Sequence, residues 1–272
     1  MLIKLLKYDL KAMLKFWWIT ALTSTVATII ACGCSYILNS EKYNPPWSAN
    51  TLLGLTLFFA VVVMIAFPLI SSILIYVRFY QNFFTDQGYL TFTLPAKRSQ
   101  LLNSKLLSAF ITSSVTGTLV AFEFSFLFTM PYTTYTISEL LSISLPEFDA
   151  HSFLLLMILA LELVILSVVS TLSSILFTFC CITFASIITK RAKLLTAIGI
   201  YYGTSTVVAG ILESSYLFGG IALIEKIFTL PDHMFLPAIY IVLLCIILFL
   251  TIICLLLYTL EYFMLDRKLN LN

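Results

Sequence analysis

Three glutamates stand inside otherwise apolar stretches: Glu123, Glu162 and Glu213. A carboxyl at mid-membrane costs about 2.5–3.5 kcal/mol on insertion scales, so each needs an interior partner, water or a proton. Counted from the ends of their stretches, all three fall toward the outer boundary. Two readings stay open. Either the acids share an outer vestibule and contact a cationic or amphipathic substrate, or they are structural, protonated or hydrogen-bonded between helices. Glu123 follows Ser108, Thr112, Ser113, Ser114, Thr116 and Thr118, which either line a cavity or bond across packed helices. Glu261 and Asp266 lie at the inner end of the last apolar stretch, where they are expected to face water or a partner.

Other chemistry has little footing. The two histidines, His151 and His233, are both expected in outer loops. Cys32, Cys34, Cys180, Cys181, Cys245 and Cys254 lie within apolar runs, with no CxxC pair and no histidine nearby. They read as small core or lipid-facing residues rather than disulfide or metal ligands. The sequence contains no GxxxxGK[ST], HExxH or GxSxG motif, so no catalytic or metal-binding residue is assigned and an enzyme is disfavoured.

The elements that carry these acids follow from composition. The chain is 61% hydrophobic and 10% charged, with a mean hydropathy of +1.05. Soluble domains carry about 25% charged residues because their surface meets water. The solvent here must be lipid, and a net charge of +2 gives no footing for nucleic acid. About 20 apolar residues are needed to cross roughly 30 Å of hydrocarbon at 1.5 Å per residue. Six stretches qualify, at 17–38, 52–77, 106–130, 153–188, 194–218 and 236–260, within a single transmembrane domain over 1–272.

Charge orients them. Of the fifteen lysines and arginines, all but Lys42 and Lys226 fall in 1–16, 78–105, 190–193 and 267–268. Placed on one side, that set satisfies the positive-inside rule and puts both ends of the chain in the cytoplasm, with the chain in the cell (inner or plasma) membrane. The fourth stretch is long enough for a hairpin, but a hairpin would leave Lys190, Arg191 and Lys193 outside, so it is read as one helix. Ile29-Ile30-Ala31-Cys32 matches a lipoprotein cleavage pattern, but the ordered start before it argues against processing. In that start Lys4, Lys7, Lys11 and Lys15 share one helical face, while Ile3, Leu6, Leu10, Met13 and Leu14 share another. The pattern predicts an interfacial helix over 1–15 that turns into the first span at Phe16-Trp17-Trp18.

The connector from Arg78 to Lys105 carries aromatics at helical spacing, Tyr80, Phe83 and Phe84, then Asp86, Gln87 and a stop at Gly88, with Pro95 as a further break. So many exposed aromatics need a partner surface or the headgroup region to cover them. The stretch FFTDQGYLTFTLPAKRSQLLNSKLL resembles the corresponding loop in permease subunits of type-2 ABC exporters, particularly of Gram-positive bacteria. The start LLKYDLKAMLKF and the six-span plan are similar to the same group.

The resemblance implies an all-α polytopic membrane protein with six transmembrane helices, an N-terminal interfacial helix and a cytoplasmic coupling helix between the second and third. Tyr80, Phe83, Phe84, Asp86, Gly88 and Tyr89 would lie at or beside the surface that docks on an ATPase, with Leu94 and Pro95 ending the element. ATP and Mg would be bound by that separate ATPase, present in two copies, with no cofactor in this chain. A second permease half, identical or homologous, would complete the exporter, whose cargo would be amphipathic or cationic peptides or other hydrophobic compounds. The outer segment 219–235 is either re-entrant, as the resemblance implies, or an interfacial loop. The alternative class is an ATP-independent carrier, scaffold or immunity factor. A carrier would show inverted repeats and broken helices, and the sequence displays only Pro68 well inside a span and no evident repeat.

Overall fold

A computed structural model of the chain describes residues 2–39, 46–85, 88, 98–129, 150–189, 192–215, 225–226, 228–229 and 232–267. Lipid offers no partner for backbone N–H and C=O groups, so apolar stretches of this length satisfy them within helices. Six long helices result: α1 (Leu2–Asn39), α2 (Trp47–Phe84), α3 (Arg98–Thr129), α4 (Ala150–Ile188), α5 (Lys193–Ser215) and α6 (Asp232–Arg267). Each is long and apolar enough to cross a membrane, as a multi-pass membrane protein requires. Their many hydroxyls are accommodated by donation to carbonyls three or four residues back. Thr20 bonds to Trp17, Thr25 to Leu22 and Thr28 to Ser24 in this way.

The fourth apolar stretch is one unbroken helix of 39 residues. α1 differs from expectation. Its 38 residues span about 57 Å at 1.5 Å each, and the helix continues through Phe16-Trp17-Trp18 without a turn. The reason lies in its packed face: Met13, Trp17, Ala21 and Ser24 are all buried, so the same stripe runs straight past the expected bend. His151 and His233 belong to the first turns of α4 and α6 rather than to loops. Between α4 and α5, Ala192 adopts a left-handed conformation (φ 57°), and its carbonyl accepts from the amide and the hydroxyl of Thr196.

The chain divides into two compact units, the boundary crossing α2 after Arg78 and α3 after Leu106. In the first unit α1 and α3 run parallel and in register. Thr112 donates to Met13 Sδ (3.6 Å), Trp17 Nε1 to Thr116 (2.8 Å) and Ser24 to Glu123 (2.6 Å), always 99 residues apart. Residues 13, 17 and 24 recur at spacings of four and seven, the seam spacing of parallel helices. α2 lies antiparallel, with Phe67 against Trp17, Thr56 beside Cys34 and Ser71 3.0 Å from Thr116.

The second unit repeats that plan. α4 and α6 are parallel, joined by Tyr240 to the Leu155 carbonyl (2.7 Å), Cys180 to the Leu257 carbonyl (3.5 Å) and Thr183 to Glu261 (2.6 Å). Phe177 of α4 meets Tyr201 of α5. The start of α3 is tied to the end of α6 by Tyr258 to Asn103 (2.9 Å) and Arg98 to the Leu265 carbonyl (3.4 Å).

Candidate functional site

Glu123 is 5% exposed and sits on the α3 stripe that carries Thr112 and Thr116. The α1 seam supplies a donor, Ser24, at Oε2; Oε1 is buried with no hydrogen-bond partner among the described residues. Thr28, one helical turn further along α1, donates its proton to the Ser24 carbonyl at 3.0 Å. Beside the carboxyl opens a groove of about 560 Å³ between α1 and α3. The dotted hydroxyls of α3 therefore divide: Thr112 and Thr116 bond across packed helices, while Thr118 turns outward onto the Val115 carbonyl.

Glu261 corrects an expectation. Instead of facing water, it is fully buried, with Oε1 accepting from Thr183 at 2.6 Å and Oε2 without a hydrogen-bond partner among the described residues. In each unit, then, a hydroxyl on the first helix of the parallel pair donates to a glutamate six residues before the end of the other helix. Neither Ser24 nor Thr183 stands out among so many hydroxyls. The usable signal was the shared four-and-seven spacing of 13, 17, 24 and 112, 116, 123. Removing the donor while leaving the acid is costlier than removing both. T183V is expected to destabilise the protein by about 1–3 kcal/mol, while T183V/E261M returns to within about 1 kcal/mol of wild type. Equilibrium unfolding in detergent measures both. A double variant weaker than T183V would show that the carboxyl stabilises the fold in its own right.

The three acids singled out by sequence are not alike. Glu162, on α4, is half-buried with Oε2 unpartnered, and Glu213, on α5, is exposed. Among the described residues no hydrogen bond joins any of the three to another, and no group of three or more His, Cys, Asp or Glu could hold a metal ion.

The connector after α2 also turns out differently. Phe83 (1% exposed) and Phe84 (9%) are buried within the chain rather than presented on a surface. Phe79 stacks on Phe179 of α4, ring centroids 3.7 Å apart and planes 6° from parallel, and Phe83 leans on Phe79 at 5.0 Å. Tyr80, half-buried, stacks on Phe84 at 6.1 Å. Gly88 closes the helix end, its amide 2.7 Å from the Thr85 carbonyl. A Cβ there would come within 2.6 Å of the Phe83 carbonyl oxygen, so only glycine fits without a backbone shift. Asp86, Tyr89, Leu94 and Pro95 lie outside the described residues, as does most of 219–235. Compared with protein-family models, curated proteins and solved structures, the chain matches none, so its function is argued from its own residues.

Proposed function

We propose that the chain is the membrane-spanning permease half of an ATP-driven exporter, inserted with both ends and the 78–105 connector on the cytoplasmic side. The single observation that carries this reading is the aromatic, glycine-capped connector, FFTDQGYLTFTLP, on the lysine- and arginine-rich side of the chain. It starts from the packed end of α2. Phe79 and Phe83 anchor the last turns of α2 on α4, so the residues after Thr85 leave a fixed platform. Asp86, Tyr89, Leu94 and Pro95 then form the part that meets a separate ATPase, which binds ATP and Mg, while Phe83 and Phe84 support it from beneath. The first four turns of α1 keep Lys7, Lys11 and Lys15 exposed, at the level of anionic headgroups. A second permease copy, identical or related, and two ATPases complete the assembly.

The test is co-purification with a soluble Walker-loop ATPase, sought first in the genes that flank this one. The wild type retains the ATPase in detergent. Y89D loses at least about tenfold of it, the cost of a buried interface anchor, with unchanged permease yield. An ATPase held equally by Y89D, or one that never associates, sinks the reading. The matched plan of the two units favours a second reading, an ATP-independent carrier built from repeats. Transport in vesicles lacking any ATPase would establish it.

A further inference from the structure

We infer that the groove beside Glu123 is a binding site for an amphipathic organic cation, a primary ammonium or guanidinium group on an apolar body. The observations come from one unit and one pair of helices. The groove holds about 560 Å³ and is walled by Thr25, Thr28 and Ile29 of α1 and by Phe122 and Phe126 of α3, with Glu123 also in its lining. That volume takes a molecule of drug size. Its walls are almost wholly apolar, and the one carboxyl in them belongs to a glutamate nineteen-twentieths buried.

Glu123 is half satisfied. Ser24 fills Oε2, Oε1 has no donor, and the neighbouring hydroxyls are committed elsewhere, Thr28 to the Ser24 carbonyl and Thr25 to the Leu22 carbonyl. An acid within a span needs a partner. A cation entering the groove supplies one, through a charge-assisted hydrogen bond to Oε1. Phe122 and Phe126, both largely exposed, line the groove beside the carboxyl, and aromatic rings attract cations. An anionic ligand would meet the carboxylate with the wrong sign, and a neutral one could offer Oε1 at most an uncharged hydrogen bond, the weaker kind. The site lies toward the Thr129 end of α3, which is the outer end if the connector is cytoplasmic. It rests on the export reading only for calling the ligand a cargo; the binding itself needs no ATPase.

The experiment is equilibrium binding of radiolabelled dodecylammonium to the full chain in phosphatidylcholine nanodiscs, corrected with empty discs. The wild type shows a saturable site. E123Q, whose amide oxygen still accepts from Ser24, weakens it by about 10- to 100-fold, as expected for loss of a charged hydrogen bond. I29W fills the groove from a residue 72% exposed, where a larger side chain meets no core, and lowers affinity without touching the acid. Unlabelled dodecanol and dodecyl sulfate compete at least about tenfold less well than dodecylammonium, since neither can donate a charged hydrogen bond. Wild-type affinity in both E123Q and I29W, or dodecanol competing as well as dodecylammonium, overturns the inference. Cation binding by a chain that retains no ATPase in the co-purification test sinks the export reading alone; an ATPase-coupled permease that binds no cation sinks this inference alone.

Discussion

F83D is expected to cost about 4 kcal/mol or more and to leave the second unit poorly folded. Phe83 is 1% exposed, 5.0 Å from Phe79 and 6.3 Å from Phe84, and the Gly88 backbone closes over its carbonyl. Truncating a buried Phe alone costs about 3–5 kcal/mol, and an unpaired carboxylate in its place adds a desolvation penalty. F83L keeps an apolar side chain there and loses about 1–2 kcal/mol, while Q81A, at an exposed position on the same turn, stays within about 0.5 kcal/mol of wild type. Thermal unfolding in detergent separates the three. Should F83D melt like the wild type, the aromatic cluster is not packed as described. The prediction also decides how docking must be tested. An ATPase lost from F83D would report an unfolded platform, so the informative substitutions are beyond Thr85.

The reason sequence alone placed Phe83 on a surface is physical. Spacing shows which residues share a helix face: Phe79 with Phe83, and Tyr80 with Phe84. It does not show what covers that face. Here the cover is Phe179, a hundred residues away on a helix whose own sequence is apolar all round. The same limit hid Ser24 and Thr183. Six helices of spanning length were legible because lipid imposes length and composition, and the single fourth helix followed from the expectation that lysines and arginines gather on one side. Inter-helix partners leave a fainter trace. Met13, Trp17 and Ser24 repeat the spacing of Thr112, Thr116 and Glu123, but each type is common in spans, and only the in-register pairing gives the pattern meaning. Glu261 was misplaced for a related reason. Six residues from the end of a long helix it reads as water-facing, yet α4 runs alongside and buries it beneath Thr183.

F179A is expected to destabilise by about 3–5 kcal/mol and to do so through more than one contact. Phe179 is 1% exposed and carries the stack on Phe79, worth roughly 0.5–1.5 kcal/mol beyond its buried area. One helical turn on, at the same α4 face, stands Thr183 with its bond to Glu261. Phe179 is therefore placed between the end of α2 and the hydroxyl that holds α6, and a cavity at its position lets both shift. The consequence is non-additivity. In a double-mutant cycle, F179A and T183V together should differ from the sum of the single losses by about 0.5–3 kcal/mol. Additivity within about 0.5 kcal/mol would mean that the stack and the carboxyl pair stabilise the unit independently. The end of α2 would then have no mechanical purchase on α6, and a push on the connector could reach α4 but travel no further along this path. A measured coupling instead makes the last turns of α2, the last turns of α4 and the end of α6 one cooperative block, which is what a segment that transmits force into the membrane requires.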